Sequence, residues 1–243
     1  MIVPKRIVPH LWFDKEAKDA AAFYTSVFPD SQLMYSTVLR DTPSGDCDVV
    51  TFTVLGQEFM AISAGPLFEL NPSVSFVISR TSRDEIDALW ERLADGGEVL
   101  MPLGAYPYSE RYGWIQDRYG VSWQLILPAE ESRLPPVVPF LIFTGANYGR
   151  AEEAIGFYTS VFGNAKQGRT VRYGADDAPE REGAIMYADF MLEGQWFAAS
   201  ESAQAHDFAF NEAISLVVRC DTQAEIDRYW AKLSAVPEAE QCG

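Results

Sequence analysis

The sequence contains the same six residues twice, Phe-Tyr-Thr-Ser-Val-Phe at 23–28 and again at 157–162. Three further blocks match in the same order: Val8–Phe13 with Val138–Phe143, Leu55–Phe59 with Glu193–Phe197, and Glu85–Trp90 with Glu225–Trp230. A repeat of about 130 residues is too long for a solenoid unit and has the length of a domain. We therefore predict two modules, residues 1–129 and 137–243, joined by a polar, proline-rich linker at 130–136.

The charge and the hydropathy of the sequence limit the classes of binding partner that we expect. The formal charge of −16 disfavours nucleic acid and anionic membranes, because phosphate would be repelled. No apolar run approaches the ~18 residues that a membrane span requires, and the N-terminus does not resemble a secretory signal. Cys47, Cys220 and Cys242 form no C-x-x-C pair, and a disulfide framework is not indicated. We expect a cytoplasmic protein with no membrane partner.

The hydrophobic pattern predicts two β-α-β-β-β units in module one. A strand at 7–13, a helix at 15–28 and three strands near 33–40, 47–55 and 58–63 form the first unit. The second has a strand at 74–79, a helix from Ser82 to about 94, and strands near 98–102, 111–116 and 121–127. Module two repeats this order up to a last helix ending near Leu233, and nothing in it corresponds to the closing hairpin of Trp114–Leu127. The predicted fold class is α+β.

Three segments carry a family resemblance: residues 9–14, residues 20–31 and residues 113–125. They resemble the PhnB-like branch of the glyoxalase/bleomycin-resistance superfamily, also called vicinal oxygen chelate. This branch often carries the label 3-demethylubiquinone-9 3-methyltransferase-like. The resemblance implies tandem glyoxalase-like modules, each built from paired βαβββ units that form an open eight-stranded barrel around a ligand cavity. It also implies a homodimer.

The methyltransferase label finds no support in the motifs. Methyl transfer usually uses S-adenosylmethionine, held by a glycine-rich turn between a strand and a helix. The sequence has no G-x-G-x-x-G segment and no alternating βαβ pattern around one. We expect no cofactor.

The resemblance also implies where a divalent metal would be held, by four side chains that line the barrel. In module one these positions carry His10, Met60, Ser73 (Ser75 if the register shifts by two) and Gln124. Only His10 and Gln124 are plausible ligands, no carboxylate balances the cation, and a thioether does not suit a hard metal. We therefore expect no metal and, if there is one, His10 and Gln124 as its ligands.

In module two the corresponding residues are Phe140, Ala198 and Ala213, and the fourth position has no counterpart. Module two is therefore not expected to bind a metal in this way.

Aromatic residues are candidates for the ligand cavity. Trp12 and Trp114 are predicted to line it with the four residues named for module one, whereas most of Phe52, Phe76 and Trp123 should be core. Residues 106–112 are predicted to form a loop, either simply packed or serving as the rim of the cavity.

The two histidines have different expected roles. His10 is a cavity residue bonded to Gln124 or water, or else a ligand or general base. His206 is expected in a loop. No nucleophilic triad is assembled by this sequence, so the catalytic residues are unknown.

Three functions remain open at this point. The preferred one is a metal-free small-molecule-binding protein of the PhnB/bleomycin-resistance type, since the expected ligand positions carry no carboxylate. The alternative is a divalent-metal-dependent lyase, isomerase or dioxygenase of the same superfamily. A third is a structural dimerisation role for module two. Whether the protein is an enzyme is left open.

Overall fold

The computed structural model describes residues 6–128 and 135–234, so most of the predicted linker and Cys242 lie outside the described residues. The first unit consists of β1 (Ile7–Phe13), α1 (Ala17–Val27), β2 (Leu33–Thr42), β3 (Gly45–Val54) and β4 (Gln57–Ser63). The second consists of β5 (Val74–Ser79), α2 (Arg83–Ala94), β6 (Glu98–Tyr106), β7 (Ser109–Gln116) and β8 (Ser122–Ile126). Both have the predicted β-α-β-β-β order.

Module two contributes one complete unit and the start of another. The third unit consists of β9 (Val137–Phe143), α3 (Ala151–Val161), β10 (Ala165–Arg172), β11 (Ile185–Leu192) and β12 (Gln195–Glu201), with a short 3-10 turn at Gly145–Asn147. The fourth has β13 (Ile214–Val218) and α4 (Gln223–Leu233). No helix within residues 6–128 and 135–234 is long and apolar enough to cross a membrane.

The N-termini of the helices show which of the capping signals in the sequence predicted the structure correctly. Ser82 caps α2 by accepting a hydrogen bond from the backbone N–H of Glu85, as the capping-box pattern predicts. Thr222 does the same for α4 with Glu225. By contrast α1 begins at Ala17 without a side-chain cap, because the N–H of Ala17 is bound instead by the Ser63 hydroxyl of β4.

Strand pairing joins the two modules instead of closing each one on itself. The five-stranded sheet has the order β13-β1-β4-β3-β2, and the eight-stranded sheet has the order β10-β11-β12-β9-β5-β8-β7-β6. The first unit therefore pairs with the fourth, and the second with the third, through antiparallel contacts in which His10 lies opposite Ser215 and Ser75 opposite Phe140. Both sheets are open, and each combines one unit of module one with one unit of module two.

The junction between the modules has an internal two-fold character. The Asn71 amide donates to the carbonyl of Ala209, and the Asn211 amide donates to the carbonyl of Glu69. Arg219 of module two also pairs with Glu58 of module one, at 2.8 Å from Nη1 to Oε2. The two asparagines, which are repeat partners, thus make matched contacts across the junction.

The helices lie between the two sheets and form two cores with them. In the first core the ring of Phe59 from β4 contacts the ring of Phe76 from β5, and Tyr24 of α1 contacts Trp123 of β8. In the second, residues of α3 and α4 pack with Phe190 and Phe197 of the eight-stranded sheet. Each sheet therefore has a helix-covered face and an opposite one, which we call the outer face.

Candidate functional site

The alternation of each strand decides which side chains reach the outer faces. On β8, Trp123 and Leu125 join the helix-covered core, so Gln124 between them points the other way. On β1, Leu11 and Phe13 join that core, so His10 and Trp12 lie on the outer face of the five-stranded sheet. These outer faces hold the candidate site residues.

A series of hydrogen bonds between uncharged side chains lies at the centre of the outer face of the eight-stranded sheet. The Tyr112 hydroxyl donates to Gln124 Oε1 at 2.8 Å, and Gln124 Nε2 donates to Ser75 Oγ at 2.7 Å. Beside them, Trp114 Nε1 donates to Ser122 Oγ at 2.7 Å. Ser75, Gln124 and Tyr112 are all buried, so each polar group needs the partner that it has.

Tyr112 is fixed as a hydrogen-bond donor. Burial, with a smaller contribution from neighbouring Tyr108, raises the pKa of Tyr112 well above its ordinary value of 10.0. The rings of Tyr106 and Tyr108 lie 5.4 and 5.1 Å from that of Tyr112. The phenol therefore keeps its proton at any physiological pH and is unsuited to act as a general base.

The module-two half of this face carries aromatic and small side chains. Phe140 of β9 lies between Ser75 and Ala198 in the strand register, and its ring is 6.4 Å from that of Tyr187. The Tyr187 hydroxyl donates to Asp189 Oδ2 at 3.1 Å, while burial raises the pKa of Tyr187 well above 10.0. The outer face thus offers flat apolar rings around a polar centre of uncharged groups, with the Asp189 carboxylate at its module-two side.

The outer face of the five-stranded sheet carries a second, smaller group. His10 lies beside Met60 in the register, and its Nδ1 is 3.3 Å from Ser215 Oγ. Burial lowers the pKa of His10 below its ordinary value of 6.5, so the imidazole is neutral at pH 7. Trp12 donates from Nε1 to the carbonyl of Gly65 at 2.7 Å.

The structure divides the six predicted cavity residues between the sheets. His10, Trp12 and Met60 lie on the five-stranded sheet, whereas Trp114 and Gln124 lie on the eight-stranded one. Because the helix-covered faces of the two sheets pack against each other, the two outer faces point away from each other. His10 accordingly bonds Ser215, and Gln124 bonds Ser75 and Tyr112. The six residues do not share one cavity.

The sixth residue, Ser73, is buried just before β5, and its backbone N–H donates to Asn71 Oδ1. The side chain that Gln124 binds is that of Ser75, the alternative position noted from the sequence, although in the strand register Ser75 lies opposite Ser122 and Val77 opposite Gln124.

Other residues around the site differ from the sequence predictions in part. Arg111 and Tyr112 belong to strand β7, not to a loop, because β6 extends to Tyr106 and leaves only a short turn. Phe52, Phe76 and Trp123 are fully buried on the helix-covered side, so they are core. Ser215, which the sequence analysis missed, is recognisable as the repeat partner of Ser75, since both lie ten residues before a matched Glu-Ile-Asp block.

Comparison with known proteins decides the family. The family model described as 3-demethylubiquinone-9 3-methyltransferase matches residues 5–126 and 135–243. The chain belongs to this family. No curated protein matches the chain.

Among solved structures, a PhnB protein from Bacillus cereus is 38% identical to this family member. The match covers 49% of this chain and 97% of the Bacillus cereus chain, with a TM-score of 0.46. The fosfomycin resistance protein FosX from Listeria monocytogenes is 21% identical over 51% of this chain and 94% of its own, with a TM-score of 0.40. Glyoxalase I from Zea mays is 14% identical over 96% of this chain and 80% of its own, with a TM-score of 0.59.

These findings place the family member in the glyoxalase/vicinal oxygen chelate superfamily and confirm the predicted α+β, glyoxalase-like fold. This is a small-molecule-binding fold. At 14% identity the similarity to the maize enzyme concerns the fold alone.

The residues present do not fit the divalent metal that the superfamily implies. On the eight-stranded sheet the positions expected to hold it carry Phe140, Ala198, Ser75 and Gln124, of which only the last offers a carbonyl oxygen and none offers an imidazole, thiolate or carboxylate. On the five-stranded sheet they carry His10, Met60 and Ser215, of which only His10 is a strong ligand. Within residues 6–128 and 135–234, no three His, Cys, Asp or Glu side chains converge as a metal site would require.

A methyl donor does not fit the described strand-to-helix turns either. No two glycines in the sequence are separated by a single residue, so the glycine spacing of a nucleotide-type turn does not occur. Asp14–Glu16 and Arg80–Ser82 connect strand to helix in module one and contain no glycine.

Proposed function

We propose that this protein binds an uncharged, planar organic molecule on the outer face of the eight-stranded sheet, without a metal ion. The observation that carries this proposal is the bonded series Tyr112–Gln124–Ser75, which is buried, neutral and flanked by aromatic rings. Ligand sites in proteins combine apolar walls with a few fixed polar groups in this way.

The donor protons that the site leaves unused indicate which chemical group the ligand carries. Gln124 Nε2 uses one proton on Ser75, which leaves its second proton, and the Ser75 hydroxyl proton is also free to donate. Tyr112 already gives its proton to Gln124. The centre of the site therefore presents donors, so the complementary ligand group is a carbonyl or a ring nitrogen.

The flanking rings favour a flat shape. Trp114 satisfies its N–H on Ser122, which leaves the indole face as apolar surface, and Phe140 lies across the β5–β9 junction. A charged ligand would lose its hydration without gaining an opposite charge at this centre, at a cost of several kcal/mol. The site therefore selects neutral molecules.

The proposal is tested by thermal shift and calorimetry on the purified chain, with uncharged aromatic carbonyl compounds as probes. Compounds that raise the melting temperature should lose about tenfold in affinity in Gln124→Leu and less in Tyr112→Phe, which keeps the ring. Tyr35→Ala, on the exposed strand β2, is the matched control and should bind normally. Equal affinity in Gln124→Leu and Tyr35→Ala would refute the assigned site.

Metal dependence is examined separately by titrating Zn²⁺, Mn²⁺ or Ni²⁺ alone. We expect no stoichiometric binding, because neither candidate set supplies more than one strong ligand. One divalent ion per chain, released by His10→Ala or Gln124→Leu, would instead support the metal-dependent alternative.

A further inference from the structure

Asp189 of β11 places a carboxylate on the outer face of the eight-stranded sheet. Its two neighbours along the strand belong to the second core, so the Asp189 side chain points away from the helices. The strand register leads from Asp189 to Ala198, from Ala198 to Phe140 and from Phe140 to Ser75. Asp189 therefore lies in the same row across the sheet as the serine of the bonded series.

The carboxylate of Asp189 is held in place and still has acceptor capacity. Its Oδ1 accepts the backbone N–H of Arg169 at 3.0 Å, and its Oδ2 accepts the Tyr187 hydroxyl at 3.1 Å. A carboxylate has about four acceptor positions, so about two remain. Asp189 is partly exposed, and none of the ion pairs within residues 6–128 and 135–234 includes it. The group can therefore accept a further hydrogen bond from a molecule on this face.

Gly168 of β10 makes room for this carboxylate. A Cβ atom at position 168 would lie 1.7 Å from Asp189 Oδ1, so any residue with a side chain would displace the carboxylate. The pairing of β10 with β11 shifts its register at this point, and the N–H that Oδ1 accepts belongs to the next residue, Arg169. The backbone of β10 thus determines where the carboxylate lies.

Module one has different residues at the matched positions. The repeat partners of Asp189 and Ala198 are Thr51 and Met60, which lie opposite each other on the five-stranded sheet. The repeat partner of the glycine is Met34, since both lie six residues after the matched Phe-Tyr-Thr-Ser-Val-Phe block. The carboxylate, its short cross-strand neighbour and the glycine that accommodates it therefore occur together on the eight-stranded sheet alone, the sheet that carries the bonded series.

The row from Asp189 to Ser75 indicates the length of a ligand that contacts both. It crosses three strand spacings, from β11 over β12 and β9 to β5, which correspond to about 14 Å. A hydrogen bond of about 3 Å at each end leaves about 8 Å between the two polar atoms of the ligand. Ala198 and the partly exposed ring of Phe140 lie between the ends and form an apolar surface for an aromatic ring.

We propose that Asp189 accepts a hydrogen bond from an N–H or O–H group of the ligand, at the end opposite the carbonyl or ring nitrogen that Ser75 and Gln124 bind. This inference rests on the proposed function and narrows the ligand class to flat, uncharged aromatic molecules with an acceptor and a donor about 8 Å apart. A ligand with a methyl group in place of the donor would desolvate the carboxylate without giving it a hydrogen bond, and it should bind more weakly.

The test compares three flat probes by calorimetry on the purified full chain at pH 6.5, where a phenol is uncharged. Flavone carries the carbonyl alone, 4′-hydroxyflavone adds a phenol at the far end, and 4′-methoxyflavone blocks that phenol with a methyl group. We expect 4′-hydroxyflavone to bind at least tenfold more tightly than 4′-methoxyflavone. Asp189→Ala should reduce this difference to less than threefold, whereas Asp84→Ala, at an exposed position of α2, should preserve it.

A second variant moves the carboxylate without removing it. Gly168→Ala keeps every polar side chain of the site and displaces Asp189, so it should also reduce the difference between the two probes to less than threefold. Circular dichroism confirms that each variant is folded.

The outcomes separate this inference from the proposed function. If Gln124→Leu weakens the binding of all three probes but Asp189→Ala leaves the tenfold difference unchanged, the site is correct and the role of Asp189 is refuted. If no probe binds the unmodified chain, or Gln124→Leu weakens none of them, the proposed function fails and this inference fails with it.

Discussion

Removing the indole of Trp123 should destabilise the protein more than removing any exposed tryptophan. The side chain is fully buried and is surrounded by four aromatic rings from both sheets and α1. Large-to-small changes of this kind cost about 3–5 kcal/mol of unfolding free energy.

A second contribution comes from Asp117. Its carboxylate accepts hydrogen bonds from Trp123 Nε1 at 2.7 Å and from the backbone N–H groups of Tyr119 and Val121. Trp123→Phe keeps an aromatic ring but removes the first of these bonds and part of the buried ring volume. It should therefore cost about 1–3 kcal/mol, less than Trp123→Ala.

Urea denaturation followed by circular dichroism measures both effects. With a slope of about 2–3 kcal/mol per M, Trp123→Ala should lower the midpoint by about 1–2 M. Trp230→Ala is the control, because Trp230 of α4 is 45% exposed, and it should cost less than about 1 kcal/mol. The reasoning is refuted if the two alanine variants have the same midpoint within error.

Two further predictions concern stability. Because burial lowers the pKa of His10 below 6.5, its contribution to the unfolding free energy should be fully present above about pH 6.5 and lost as the pH falls toward the folded-state pKa. His10→Asn should flatten this pH dependence, measured by urea denaturation at pH 5.5 and 7.5. His206→Asn is the control. Glu201→Ala should cost about 1–3 kcal/mol, because this buried carboxylate binds the backbone N–H groups of Ala151 and Ile185; a loss below about 0.5 kcal/mol in the same assay would contradict the assignment.

Local features of the fold were predictable from the sequence because they depend on neighbouring residues. The alternation of Leu11 and Phe13 with His10 and Trp12 gave the correct faces of β1. The spacing of Ser82 and Glu85 gave the correct start of α2.

Pairing between units was not predictable in the same way. The repeat is the same whether the second unit pairs with the first or with the third, and the choice depends on contacts such as Asn71 with Ala209 that no local pattern encodes. For this reason the sequence grouped His10 with Gln124, while the fold gives them Ser215 and Ser75 as separate partners.

The duplicated outer faces have not stayed equivalent. Ser75 and Ser215 occupy the same repeat position, and each lies opposite the matched residue of the other module's first strand, Phe140 and His10. One face therefore combines a serine with a phenyl ring, and the other combines a serine with an imidazole whose pKa burial lowers below 6.5. Side chains so different in polarity would bind different ligands, so a molecule held at Gln124 is not expected to bind equally well beside His10.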